Sequence, residues 1–279
     1  MSIAKQVYWV ILGALFAATL AAADTVRVEI VNLKAQDGGR SYGLLHVPAD
    51  GHADTVIIAM HPRGNNTQHF TLRPAAQHGF AGFGLAGRWT SDEEHLIHED
   101  LLLDIAAAIK FLKGERGFKT IILVGHSGGG SLMSFYQNQA TTAPPNRFKS
   151  TPAGDPPDLN KFDLPPADGL VMMAAHRGEG KVFTARLDPS VLDENDAFLT
   201  DPSLDMFNPE NGYRSPPQES HYSTEFMQRY RQAQIERARR LDQRIEPRCA
   251  VAEGLNPHPC AAGALDWVLE PTALNVPHS

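Results

Sequence analysis

The residues with the clearest capacity for chemistry lie in the segment GHSGGG, residues 125–130. Ser127 stands at the centre of a G-x-S-x-G pattern that Gly125 and Gly129 complete. A serine hydroxyl is a weak nucleophile and must be exposed and close to a base to react. Flanking glycines permit the close backbone approach that a sharp strand-to-helix turn requires. The pattern predicts a nucleophilic serine, and the alternative is an ordinary serine in a glycine-rich turn.

Two other glycine-rich patterns fit this segment less well. A phosphate-binding P-loop needs a lysine where Ser131 stands, and a dinucleotide-binding turn needs a third glycine where Met133 stands. In the G-x-S-x-G interpretation, the N–H of Gly128 points to where an oxyanion forms, at the positive end of the following helix. We therefore predict Gly128 as an oxyanion donor.

The elements that position Ser127 follow from the hydrophobic pattern. Ser91-x-x-Glu94 is a capping box and predicts that a helix begins there, with an apolar face as far as Leu112. Alternation of strands with helices predicts an α/β fold with a doubly wound, mostly parallel sheet. Six strands are predicted from short apolar runs, at residues 25–31, 42–47, 55–60, 79–85, 120–124 and 169–175.

With these elements, the chain resembles the α/β-hydrolase family from about residue 24 to residue 175. The resemblance rests on GHSGG after the fifth strand and on MHPRGNN, residues 60–66, after the third. In that family the loop after the third strand typically begins His-Gly and supplies a second oxyanion N–H. Here Pro62, which has no N–H, stands in place of the glycine. The resemblance therefore implies Arg63 as the second oxyanion donor, with Gly64 as the next choice.

The family's triad continues with an acid and then a histidine, and neither can be assigned from this sequence. His61 precedes Ser127 in the chain and is predicted to be a structural hydrogen-bonding residue. The histidines after Ser127 are His176, His221, His258 and His278, and none follows a predicted late strand. The candidate acids are Asp188, Asp193, Asp196, Asp201 and Asp205.

The chain is predicted to consist of four segments. Residues 1–23 resemble a signal peptide, with Lys5, an apolar stretch and three alanines before Asp24. This predicts a secreted or periplasmic protein with no stable membrane span after cleavage, and the alternative is an uncleaved N-terminal anchor. Residues 24–180 form the hydrolase core, and residues 181–245 a lid-like loop and a long helix whose arginines face solvent. Residues 246–279 form an irregular tail.

The tail departs from the family pattern. A complete α/β-hydrolase carries two further strands there, whereas this segment is rich in proline and its main apolar stretch is 265–269. It also holds Cys249 and Cys260, which could pair in an oxidising compartment. We predict that the chain is a shortened hydrolase, either truncated or read in a shifted frame after about Ile245, with a sheet that ends at the sixth strand.

Charge and composition narrow the function. The net charge of −7 argues against nucleic acid as a partner, and no Cys/His spacing predicts a metal or cofactor. The sequence predicts a secreted serine hydrolase that acts on an ester or related acyl bond of a small-molecule substrate. The alternative is a catalytically incompetent binding protein with a hydrolase-like fold. Arg63 and Arg88 could favour an anionic group on the substrate, although solvent-facing arginines are more common.

Overall fold

The computed structural model describes residues 25–152 and 154–253, and of residues 242 and 244–253 it describes the backbone alone. These residues form two compact units. The first contains residues 25–137 and 164–173, and the second contains residues 138–152, 154–163 and 174–253. The predicted signal peptide, Cys260, His258 and His278 lie outside the described residues.

The first unit is built on a six-stranded sheet in the order β1-β2-β4-β3-β5-β6. Strands β3 to β6 pair in parallel, whereas β1 and β2 pair in antiparallel fashion. The mostly parallel sheet with flanking helices confirms the predicted fold class. The strands are β1 Val26–Lys34, β2 Arg40–Pro48, β3 Thr55–Ala59, β4 Ala81–Ala86, β5 Thr120–His126 and β6 Gly169–Met173.

Three helices alternate with these strands along the chain: α1 Leu72–Gln77, α2 His98–Lys110 and α3 Gly128–Thr141. Leu72 is fully buried against Ala59 at the end of β3 and Val124 near the end of β5. Burial of such apolar side chains is the main favourable contribution to the free energy of folding of this unit. Burial of Leu72 also anchors the loop between β3 and α1, which adjoins the candidate site.

The helix predicted from Ser91 begins instead at His98, so the capping-box prediction is wrong. Residues 93–95 form a separate 3₁₀ turn. The reason is a long-range contact: the Glu93 carboxylate accepts a 2.6 Å hydrogen bond from the Gly64 N–H and lies 3.8 Å from the Arg63 guanidinium. Through this contact Glu93 binds the loop after β3, and residues 91–97 do not form part of the helix.

The second unit contains a short helix, a hairpin and a long helix. They are α4 Glu179–Arg186, β7 Val191–Asp193 with β8 Asp196–Thr200, and α5 Thr224–Glu253. Gln234 of α5 is buried and donates to the carbonyl groups of Ala185 (2.9 Å) and Leu187 (2.7 Å). Arg237 donates to both carboxylate oxygens of Glu194 at 2.9 and 2.7 Å. The prediction that the α5 arginines face solvent is therefore wrong for Arg237, which holds the hairpin.

Within the described residues, β6 pairs with β5 on one side and with no strand on the other. Val171 and Met172, neighbours that point to opposite faces, are 45% and 61% exposed. The apolar sequence of β6 is typical of a strand buried on both faces, yet at these two residues both faces are exposed. No helix among residues 25–152 and 154–253 has both the length and the apolar character needed to cross a bilayer.

Candidate functional site

Ser127 is the single residue between the end of β5 and the start of α3. Its φ is 53°, in the left-handed region that side-chain-bearing residues rarely adopt. Its N–H donates to the Met173 carbonyl (3.0 Å), and its own carbonyl accepts from the Gly130 N–H (3.0 Å). The chain on both sides thus holds this residue in a strained conformation.

The glycines of the motif are required by close backbone contacts. A Cβ on Gly125 would lie 2.5 Å from the Gly129 carbonyl oxygen and 2.5 Å from the Gly130 Cα. A Cβ on Gly129 would overlap the carbonyl oxygen of Met60. The close approach predicted from the sequence is therefore present, and it brings the loop after β3 against the start of α3.

The three candidate oxyanion donors differ in the hydrogen bonds that their backbone N–H groups make. Gly128 is the first residue of α3, and its N–H makes no hydrogen bond to any described residue. The Gly64 N–H is taken by the Glu93 carboxylate. His61 Nδ1 lies 3.1 Å from the Arg63 nitrogen and 2.9 Å from the Arg63 carbonyl oxygen. Which of these two groups His61 engages depends on its tautomer.

The candidate base and acids belong to the second unit or lie outside the described residues. His176 Nδ1 accepts from the Gly178 N–H (3.2 Å), and the His221 N–H donates to the Gly212 carbonyl (2.9 Å). Each of the five candidate acids accepts a backbone N–H from the second residue after it, so each closes a local turn. Among the described residues, no side chain hydrogen bonds to Ser127 Oγ.

Three aromatic rings meet next to Ser127, and sequence analysis did not single them out. The His69 ring centroid lies 4.4 Å from that of Phe70 and 5.7 Å from that of His126. His69 Nδ1 lies 2.8 Å from Thr71 Oγ1, and its Nε2 is buried with no partner among the described residues. Burial lowers the pKa of His69, and the nearby His126 and His61 lower that pKa further. His126 belongs to the GHSGG motif, but nothing local marks His69 or Phe70.

The sequence allows Arg88 to be either a solvent-facing arginine or a residue that attracts an anionic group, and its position fits neither role. Its side chain is 12% exposed and donates from Nε and NH2 to Asp104 Oδ1, at 3.1 and 2.8 Å. Its backbone N–H donates to Asp104 Oδ2 (2.9 Å), and its guanidinium also binds Asp37 in the β1–β2 turn. Arg88 is therefore a structural residue that joins this turn to α2.

Residues 25–152 and 154–253 hold no group of three His, Cys, Asp or Glu side chains arranged to bind a metal ion. What the site offers chemically is a serine hydroxyl on a strained turn, a helix N-terminus beside it and an exposed aromatic surface. Such a set is suited to attack on a neutral carbonyl group.

No protein-family model and no curated protein sequence matches the chain. Among solved structures, it is similar to a cold-adapted esterase from an Arctic intertidal metagenomic library, with 19% identity and a TM-score of 0.36. That match covers 42% of this chain and 56% of the esterase. It is also similar to esterase Est22, with 15% identity and a TM-score of 0.35 over 49% of this chain and 46% of Est22.

A third structure is the Pyrococcus furiosus esterase Pf2001, with 16% identity and a TM-score of 0.35 over 42% of this chain and 46% of the esterase. The chain thus resembles part of each of these esterases, over less than half of its own length, and spans less than two thirds of each.

Proposed function

We propose that this protein is a serine hydrolase that cleaves an ester or related acyl bond of a small-molecule substrate. The observation that carries the proposal is the backbone of Ser127, held at a φ of 53° between β5 and α3. Strained residues that their surroundings over-determine cluster at functional sites. This one bears a hydroxyl and lies at the carboxyl ends of parallel strands, where α/β sheets bind their ligands.

In the proposed reaction, Ser127 Oγ attacks the ester carbonyl and a tetrahedral oxyanion forms. The Gly128 N–H, at the positive end of α3, donates one hydrogen bond to it. The Arg63 N–H donates the second in the His61 tautomer that carries its proton on Nδ1, because the other tautomer accepts that N–H itself. The ester C–O bond then breaks, and the alcohol leaves with the proton that Ser127 Oγ gave up on attack, which solvent water carries. Water next adds to the acyl carbonyl and the bond to Oγ breaks, so the carboxylic acid departs and Oγ regains a proton from solvent.

One observation favours a second function, that of a non-catalytic binding protein with a hydrolase-like fold. Among the described residues, Ser127 Oγ has no histidine within hydrogen-bond reach. Without a base, the hydroxyl is poorly activated and the turn would serve only to shape a ligand site. The two functions differ in whether Ser127 reacts with an electrophile.

The test is labelling of the full chain with a fluorophosphonate, together with hydrolysis of p-nitrophenyl acetate. We expect the protein and Ser134→Ala to be labelled and active, since Ser134 lies further along α3 and donates to the Gly130 carbonyl at 2.7 Å. Ser127→Ala should lose the label and keep only a residual rate, roughly 10³- to 10⁴-fold over water. Labelling that survives in Ser127→Ala refutes Ser127 as nucleophile, and an unlabelled, inactive wild type supports the binding protein.

We also propose that the protein is secreted or periplasmic, on the sequence of residues 1–23 alone. N-terminal sequencing of exported material should find a start near Asp24. A mature protein that begins at Met1 or Ser2 would contradict signal cleavage.

A further inference from the structure

Two exposed aromatic rings stand in contact beside the proposed nucleophile. The ring centroids of Phe70 and His126 are 5.6 Å apart, with an angle of 89° between the planes, which is an edge-to-face contact. His126 directly precedes Ser127 at the end of β5. The ring of Phe70 is therefore brought next to the Ser127 turn by the loop after β3, although the two lie far apart in the sequence.

Phe70 is exposed to solvent in a loop that is otherwise anchored in the core. Its side chain is 59% exposed, whereas Leu72, two residues later in the same segment, is fully buried. Burying a phenylalanine in the core is favourable, so a ring left in solvent next to an anchored leucine is open to a ligand. His126 is exposed as well, and Ser127 between it and α3 is partly exposed.

The backbone on both sides of Phe70 is fixed. The His69 N–H donates to the Asn66 carbonyl (3.1 Å), and the Leu72 N–H donates to the His69 carbonyl (3.0 Å). His69 Nδ1 also lies 2.8 Å from Thr71 Oγ1. The ring of Phe70 is thus presented by a pre-organised loop, and a ligand that binds it does not have to order that loop first.

We propose that Phe70 and His126 form an aromatic platform that binds the apolar part of the ester whose carbonyl Ser127 attacks. The inference rests on the proposed hydrolase function and names its substrate class. The phenyl ring has no hydrogen-bond donor or acceptor, so it selects ligands by removing apolar surface from water. Esters with a chain of several carbons or an aromatic ring are therefore preferred to those of acetate with a small alcohol.

The first test compares Phe70→Ala with the matched control Phe80→Ala. Phe80 is 47% exposed and precedes β4, so it lies at the opposite edge of the parallel sheet from the site. Two substrate series are used: p-nitrophenyl esters of two, four and six acyl carbons, and acetates of methanol, butanol and hexanol. In at least one series, Phe70→Ala should lower the preference in kcat/KM for the six-carbon ester by about tenfold, the range expected for lost methylene contacts.

Phe80→Ala should leave that preference unchanged, and fluorophosphonate should still label Ser127 in both variants. If chain-length preference in both series is the same in Phe70→Ala as in wild type, the platform is ruled out while the hydrolase function stands. A Phe70→Ala protein that has lost stability but not preference shows that the ring only shields His69.

A second measurement does not depend on catalysis. The ring-proton NMR signals of His126, assigned by their loss in His126→Gln, are followed while N-hexylacetamide is added. We expect them to shift in wild type and in Phe80→Ala, and not in Phe70→Ala. If wild type neither hydrolyses esters nor reacts with fluorophosphonate, the proposed function fails, and this titration alone decides whether the platform binds apolar ligands. Signals that do not move in wild type overturn the platform.

Discussion

The backbone carbonyl of Met60 occupies the place where a Cβ on Gly129 would stand. Met60 follows β3, and Gly129 lies in the first turn of α3. This contact holds the loop that carries Arg63 next to the turn that carries Ser127. A side chain at position 129 would have to push the two backbones apart.

We therefore expect Gly129→Ala to damage both the fold and the site. Inserting a methyl group against fixed backbone typically costs ~1–3 kcal/mol in the free energy of unfolding. Fluorophosphonate labelling of Ser127 should slow in the same variant, because the proposed oxyanion donors Gly128 and Arg63 would be moved apart. Urea denaturation and the labelling rate measure the two effects.

The matched control for that substitution is Gly114→Ala. Nothing lies within 4 Å of a Cβ built on Gly114, and its φ is not positive. Its stability and labelling rate should stay close to those of wild type. Equal losses in the two variants would show that the Met60 contact has no special role.

A second prediction concerns the buried ion pair of Arg88 with Asp104, whose side chain is fully buried. Removing one partner of such a pair leaves an uncompensated buried charge, which typically costs about 3–5 kcal/mol. We expect Arg88→Met to be destabilised by that order in chemical denaturation at neutral pH. The variant Arg88→Met/Asp104→Leu should be more stable than Arg88→Met, because the fully buried carboxylate of Asp104 is then no longer left without its partner.

The pH dependence of this variant has a definite sign. Burial already raises the pKa of Asp104, against the effect of Arg88, and loss of Arg88 raises it further. When the pKa of a carboxyl is higher in the folded protein than in the unfolded chain, the protein loses stability as the pH rises from the unfolded-state pKa through the folded-state pKa. The deficit of Arg88→Met relative to wild type should shrink as the pH is lowered from 7 to 4. A deficit that grows on acidification would contradict a buried, unpaired Asp104.

A third prediction follows from the lowered pKa of His69, which burial causes and which His126 and His61 reinforce. The unfolded chain then takes up the proton at a higher pH than the folded one. The protein therefore keeps its full stability above about pH 6.5, the ordinary pKa of histidine, and loses stability as the pH falls below that pKa. Wild type should lose more stability between pH 7.5 and 5.5 than His69→Gln does. Identical losses would remove His69 as the cause.

A fourth prediction concerns the two edges of the sheet. The β1 edge carries charged residues, among them Arg27, Glu29 and Lys34, whereas β6 carries none. Exposed apolar edges without charge pair readily with other chains. Met172→Lys should slow aggregation measured by light scattering, with a change in stability within about 0.5 kcal/mol as for ordinary surface positions.

Ile30→Lys is the control for the edge prediction. Ile30 is 75% exposed on β1, where neighbouring charges already oppose strand pairing. Its aggregation rate should change little. If Ile30→Lys protects as well as Met172→Lys, general surface charge and not the β6 edge controls aggregation.

Local sequence patterns predicted the six strands and the turn at Ser127. An apolar run such as 121–124 and the glycine at 125 act through neighbours within a few residues, so their effect is visible locally. The positive φ of Ser127 and the close contact of Gly125 with Gly129 and Gly130 are what those patterns require, whereas the contact of Gly129 with Met60 is long-range. The pattern predicted where the turn would form because strand burial and turn sterics are short-range.

The surroundings of Ser127, in contrast, depend on contacts between residues that are distant in the sequence. Parallel strands are joined by long connections, so residues distant in sequence meet at the carboxyl edge of the sheet without any local signal. This is how Glu93 comes to accept the Gly64 N–H and how Phe70 comes to lie against His126. The contact of Glu93 with Gly64 also explains why α2 begins at His98 and not at the predicted Ser91. Local periodicity reports which side of an element is buried, whereas the partner on that side is set by the order and register of the strands.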